Sequence, residues 1–152
     1  MPNATATNRI ALLAGDWTGE ETIAASKWGP GGTAVAKISA RLALNDRALI
    51  QDYSAERDGK HWLAAHAVFV FDEASSAYSL FWFDNLGFAP TQPAPGEWSG
   101  ETLTFTRTSP RGQTRHLYTF QNGESYSLRL ESSFDGGATW IPVMEGTYAR
   151  VK

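Results

Sequence analysis

Along most of the chain apolar and polar residues alternate one by one. The alternation is broken at short intervals by clusters of glycine, proline, asparagine and aspartate. Single alternation is the period of a β-strand with one face buried, and turn signals at such spacing are the pattern of a sandwich or barrel. The breaks fall at Gly29-Pro30-Gly31-Gly32, Asn45-Asp46, Asp58-Gly59, Glu73–Ser76, Ser109–Gly112, Asn122-Gly123 and Asp135-Gly136-Gly137. Between them lie about ten runs, at 16–27, 33–44, 48–57, 61–72, 77–84, 96–99, 102–108, 113–121, 125–134 and 138–151. Asp58-Gly59 and Asn122-Gly123 suit two-residue type I′ hairpin turns, whose central positions both need positive φ. Consecutive hairpins make an up-and-down antiparallel meander, and closing it into a barrel removes both exposed edges.

Helical periodicity is confined to Asn8–Leu13, where Ile10, Leu12 and Leu13 share one side of a short helix that ends before Gly15. The segment 85–97 is the longest irregular stretch, and its prolines, Pro90, Pro93 and Pro95, exclude it from a central strand. It reads as a binding loop or as a connector across a barrel end. The expectation is an all-β protein, a barrel of about ten antiparallel strands with a short N-terminal helix. It forms one domain over 1–152, with 1–8 as a flexible terminus.

Alternation also sorts side chains into faces. In 33–44 Ala36, Ile38, Ala40, Leu42 and Leu44 oppose Val35, Lys37, Ser39 and Arg41. In 61–72 neither face is polar: Trp62, Ala64, His66, Val68 and Val70 oppose Leu63, Ala65, Ala67, Phe69 and Phe71. The next run repeats this, with Tyr78, Leu80 and Trp82 against Phe81 and Phe83. Whichever face lines the lumen, the other needs cover, from the N-terminal helix, from the proline segment or from a second copy of the chain. A homodimer is the expectation.

Composition narrows the function. The 152 residues include no cysteine, which excludes disulfides, thiolate metal sites and cysteine catalysis together. The net charge of −3, with 13 scattered basic residues, argues against nucleic acid or an anionic membrane as partner. The N-terminal residues lack the basic and long apolar regions of a signal peptide, and no apolar run is long enough to cross a membrane, so a cytoplasmic location is expected. Nucleophile-elbow, Walker and dinucleotide signatures are missing, and Gly29–Gly32 carries a proline and precedes a strand, so it reads as a turn.

Three histidines remain to be placed. His61 and His66 lie on opposite faces of one strand and cannot share a metal, so no metal site is expected. His61 reads as an exposed strand entry. His66 and His116 lie on strands with apolar neighbours, as hydrogen-bonded core residues or as acid–base groups in a closed cavity. Arg129 and Glu131 share a face with Ser127 and Ser133, which reads as an outward ladder because Tyr126, Leu128 and Leu130 fill the other.

Leu13-Ala14-Gly15-Asp16-Trp17-Thr18-Gly19 resembles the Gly-x-Trp opening of calycin barrels, the group that includes lipocalins, fatty-acid-binding proteins and nitrobindins. More closely, the chain resembles a bacterial family of unknown function with a lipocalin-like barrel. The likeness runs through Leu12–Gly19, Phe71-Asp72, Trp82-Phe83-Asp84, Ser133–Trp140 and Tyr148-Ala149-Arg150. It implies a calycin-type barrel, with Trp17 near one end under an arginine of the last strand, Arg150. The nitrobindin branch would bring haem, but its opening pattern ends in glycine where this chain has Glu21, and its ligating histidine comes from late strands, where this chain has none after His116. Haem and other cofactors are therefore not expected.

Together these point to a barrel whose lumen binds a small, largely apolar molecule, with His66, Tyr78, Trp82, His116 and Tyr118 as its lining. Two other classes stay open. One is an isomerase or cyclase using His66 or His116 in the same cavity; the other is an interaction protein with a filled barrel.

Overall fold

The computed structural model describes residues 9–26, 29–86 and 92–151. Ten strands follow one another: β1 (Gly15–Ile23), β2 (Gly32–Ala43), β3 (Ala48–Arg57), β4 (Lys60–Asp72), β5 (Ala77–Asp84), β6 (Ala94–Ser99), β7 (Thr102–Ser109), β8 (Gly112–Phe120), β9 (Ser125–Ser133) and β10 (Ile141–Arg150). Each pairs antiparallel with the next, and β10 pairs with β1 from Trp17↔Arg150 to Ile23↔Met144, which closes the barrel. Among the described residues no helix is long and apolar enough to cross a membrane.

The turn chemistry explains most strand ends. Asp58 and Gly59 have φ of 53° and 74°, the two positive values that a tight hairpin between β3 and β4 requires. The Asn122-Gly123 expectation is corrected. Of these two only Gly123 has positive φ, because the connection spans 121–124 and Asn122 Oδ1 accepts the Glu124 amide at 3.0 Å. Pro95 is a second correction, since it lies inside β6 opposite Ser79. The β6–β7 ladder begins only at Gly96, so the missing N–H of Pro95 leaves no gap in it. Pro90 lies outside the described residues. The expected N-terminal helix is present over the described residues, with Arg9 and Ile10 helical and Ala11–Leu13 a 3₁₀ turn.

That turn defines one end of the barrel, shared by the hairpins β2–β3, β4–β5, β6–β7 and β8–β9. Ile10 and Leu13 are buried there, and the Trp17 indole donates to Leu13 O at 3.0 Å. Arg9 lies 3.9 Å from the centre of the Trp98 ring and bonds Gly100 O, so the N-terminal segment crosses the floor. Arg150 lies 4.2 Å from the centre of the Trp17 ring while donating to Ala14 O and Gly123 O, both at 2.7 Å. One guanidinium thus ties the seam strands, the N-terminal turn and the β8–β9 hairpin together.

Leu63, Ala65, Ala67, Phe69 and Phe71 face the lumen from β4, which puts His66 outside: its expected inward placement is corrected. In register it stands between Asp52 and Phe83, and its Nδ1 meets Asp52 Oδ1 at 2.7 Å with both side chains largely exposed. The alternation separated the two faces correctly. The side turned inward was settled by neighbours: Tyr53 and Leu80, buried on β3 and β5, are in register with Ala65 and Phe69. The Arg129/Glu131 ladder is outward, but Glu131 is buried under Arg115 at 2.6 Å and Arg129 at 3.2 Å, with Arg115 stacked 4.0 Å from the centre of Trp140.

Candidate functional site

The lumen divides into a packed half and an open half. Around the end closed by the 3₁₀ turn the inward positions carry large rings. Trp17 meets Tyr126 edge-on at 4.8 Å, Phe71 meets Tyr78 at 5.0 Å, Trp98 meets Phe120 at 5.6 Å, and Phe69 contacts both Phe105 and Tyr118. Such contacts fill space as a crystal of rings does and leave no room for a guest.

Toward the other end lies a cavity of about 220 Å³. Its apolar wall is Leu63, Leu80, Trp82, Ala94 and Leu130, and its polar wall is Arg107, Thr114, His116 and Ser132, with Asp84, Leu86, Gln92 and Val143 at the rim. Strand parity places these groups, because Arg107 follows Leu103 and Phe105 on the inward face of β7, and Thr114 precedes His116 and Tyr118 on β8.

Of the five residues expected in the lining, Trp82 and His116 border this cavity and touch each other, ring centres 5.0 Å apart. Tyr118 lies beyond His116, 6.3 Å away and buried among Phe69, Phe105 and Tyr126. Tyr78 is buried in the packed half, and His66 is on the outer surface.

The electrostatics of the wall are one-sided. Burial, reinforced by the Arg107 charge, pushes His116 down to about 3, so the imidazole is neutral at physiological pH. Its Nδ1 is enclosed without a partner, so the Nε2 side of the ring borders the cavity. Asp84, the one carboxylate lining the cavity, is engaged by the Trp82 indole at 2.9 Å and the Leu86 amide at 2.9 Å.

A second buried polar group was not anticipated. Glu21 is 1% exposed and accepts hydroxyls from Tyr53 and from Tyr148, the latter at 2.6 Å, both on Oε2, while Oε1 has no partner. Burial and the Glu21 charge both raise the Tyr53 and Tyr148 phenols, so they remain donors. The signal was present in the chain: once Trp17 is inside, parity puts residues 19 and 21 on the same face. Gly19 stands there because an added Cβ would lie 2.0 Å from Thr147 O.

A wider depression of about 610 Å³ lies on the outer face of β1–β3, lined by Asp16, Thr18, Lys37, Ser39, Asp52 and Ser54 among others. Ser39, Asp52 and His66 share a cross-strand row there, but Asp52 sits between the other two. A hydrolytic triad needs the histidine between serine and carboxylate, so the row does not form one. Ser133–Trp140 is a structural motif: Asp135 accepts Ser133 Oγ and the Thr139 amide, which hold its carboxyl near 2 and bring Trp140 over Arg115. Among the described residues no three histidine, aspartate or glutamate side chains could hold a metal.

Ten antiparallel strands closed through a Gly-x-Trp strand and the last strand define a calycin-like barrel. Residues 5–150 match the family of proteins of unknown function DUF1579, and the chain belongs to that family. Solved structures share the fold, two of them as follows. Rv2717c from M. tuberculosis is 11% identical with a TM-score of 0.71, covering 97% of this chain and 98% of that one. The S-type phycobiliprotein lyase CPES from Guillardia theta is 11% identical with a TM-score of 0.64, covering 99% of this chain and 93% of that one. No curated protein matches the sequence.

Proposed function

We propose that the protein binds a small, largely apolar molecule in the open half of the barrel. The observation that carries this reading is the cavity of about 220 Å³ walled by Leu63, Leu80, Trp82 and Leu130 beside a neutral, inward-facing His116. Apolar walls with a few convergent polar groups are the usual form of a ligand site. The volume is below the roughly 300–1,000 Å³ of drug-sized sites, so the guest is one or two rings or a short chain. A panel of small fluorescent apolar probes tests this, with Trp82→Ala as control. Saturable binding that weakens by about tenfold in the variant supports the site, and no saturable binding by any probe rejects it.

Acid–base catalysis is the weaker alternative, because His116 held at about 3 is neither an imidazolium acid nor an effective base near neutrality and His66 lies on the outer surface. Haem has no place in this reading. Glu21, held by Tyr53 and Tyr148, stands where the opening pattern of the nitrobindin branch ends in glycine, and β9 and β10 carry no histidine.

A second reading concerns the outer face of β3–β5. Ile50, Val68 and Phe81 stand in one register row, with Val70 and Phe83 beside it, and Phe83 is 46% exposed. Ile50, Val68, Val70 and Phe81 are partly buried. The occupant we assign is a second copy, because an apolar row on a sheet face can lie against its own copy about a twofold axis. Light scattering at tens of micromolar should give a dimer, and Phe83→Lys a monomer. A wild-type monomer at that concentration rejects it.

A further inference from the structure

We infer that the cavity in the open half selects an apolar molecule carrying one anionic head group, held by Arg107 with His116 beside it. This rests on the ligand-binding reading above and adds the chemical class of the ligand.

The inference starts from a difference among the arginines. Arg47, Arg115 and Arg129 pair with carboxylates, Arg150 is fixed by carbonyls, and Arg9 and Arg57 lie against tryptophan rings and bond carbonyls. Arg107 lines the cavity and is partly buried, yet among the described residues it has neither an ion pair nor a hydrogen bond. The segments outside the described residues contain no aspartate or glutamate that could pair with it. A guanidinium drawn partly out of water without a counter-charge is a cost that a bound anion removes, and its planar fork suits the oxygens of a carboxylate, sulfonate or phosphate.

The groups around Arg107 point to the same chemistry. With Nδ1 enclosed and unpartnered, the hydrogen of the neutral imidazole belongs on Nε2, since an enclosed N–H without an acceptor is rarer than an enclosed lone pair. His116 therefore offers the cavity a donor. Thr114, in register with Arg107, adds a hydroxyl on the same wall. Asp84 stands at the rim, where the Trp82 indole and the Leu86 amide hold its carboxylate. Opposite these donors Leu63, Leu80 and Trp82 present the apolar surface for the body of the molecule.

Three matched probes with one bicyclic body test the head group: naphthoate, naphthamide and naphthalenesulfonate, titrated calorimetrically into the intact protein. The expected result is naphthoate binding about tenfold or more tighter than naphthamide, as a charge-assisted contact implies. Arg107→Gln should remove that preference, weakening naphthoate far more than naphthamide without lowering the unfolding midpoint, and Arg107→Lys should restore part of it. Sulfonate binding as well as carboxylate supports a general anion site, and a carboxylate preference supports paired recognition of two coplanar oxygens. Equal affinity for naphthoate and naphthamide in the wild type, or a preference that survives Arg107→Gln, overturns the inference while leaving the cavity as a ligand site. If none of the three binds and no apolar probe does either, the ligand-binding reading itself falls.

Discussion

The two halves of the lumen are built by the same strands under the same alternation, yet one is a packed core and the other holds a cavity. At the closed end the inward positions carry Trp17, Phe71, Tyr78, Trp98, Phe120 and Tyr126, whose rings interlock. Toward the open end several of the same strands carry small inward residues, Ala34 on β2, Ala55 on β3, Ala65 on β4 and Ala94 on β6. The contrast extends to charge. At the closed end the guanidinium of Arg150 is fixed by two backbone carbonyls, whereas toward the open end Arg107 has no ion pair or hydrogen bond among the described residues. A charge held by the chain's own carbonyls serves stability, and one left without a partner on a cavity wall is available to a guest.

Trp17→Ala breaks the comparison at its strongest point. Removing a buried indole at the closed end should cost roughly 3–5 kcal/mol in denaturant unfolding. The large-to-small change Trp82→Ala in the cavity wall should cost less, because space already borders its ring. Equal losses would mean that the two halves are packed alike.

Acid titration should single out the open half. His116 sits at about 3 in the folded chain against 6.5 for the free side chain, so as pH falls the unfolded chain takes up the proton first. Its contribution to stability is therefore intact above about 6.5 and is lost progressively toward 3, amounting to roughly 3 kcal/mol between pH 7 and 4. Urea unfolding of His116→Phe across that range should show a correspondingly shallower decline. Parallel curves for wild type and variant would place His116 in water.

Tyr148→Phe removes one of the two donors to the buried Glu21 carboxylate and should cost about 1.5–3 kcal/mol, as for a hydrogen bond to a charged group. The smallest effect is the coupling at the seam. Arg150→Ala and Trp17→Ala combined in a double-mutant cycle should show an interaction of about 0.5–2 kcal/mol from the stacked guanidinium. Strict additivity would mean that the last strand is held by its backbone ladder alone.

Much of the architecture is legible in the chain because its determinants are local. Strand ends follow from turn residues, and the grouping of side chains into two faces follows from a period of two, so all ten strands match runs visible in the sequence. Parity carried from one anchor would have gone further. From Trp17 it reaches Glu21, and from Leu103 and Phe105 it reaches Arg107, so both of these inward polar groups were within reach of the pattern. It could not reach His66, because β4 is apolar on both sides and a period of two has no sign. That sign came from the register of β3 and β5, which sets His66 beside Asp52 and Phe83 on the outside. Nor could it tell the packed half of the lumen from the open one. Free volume depends on how rings from non-adjacent strands meet across the barrel axis, as Phe69 meets Phe105 and Tyr118, and such contacts exist only once all ten strands have closed.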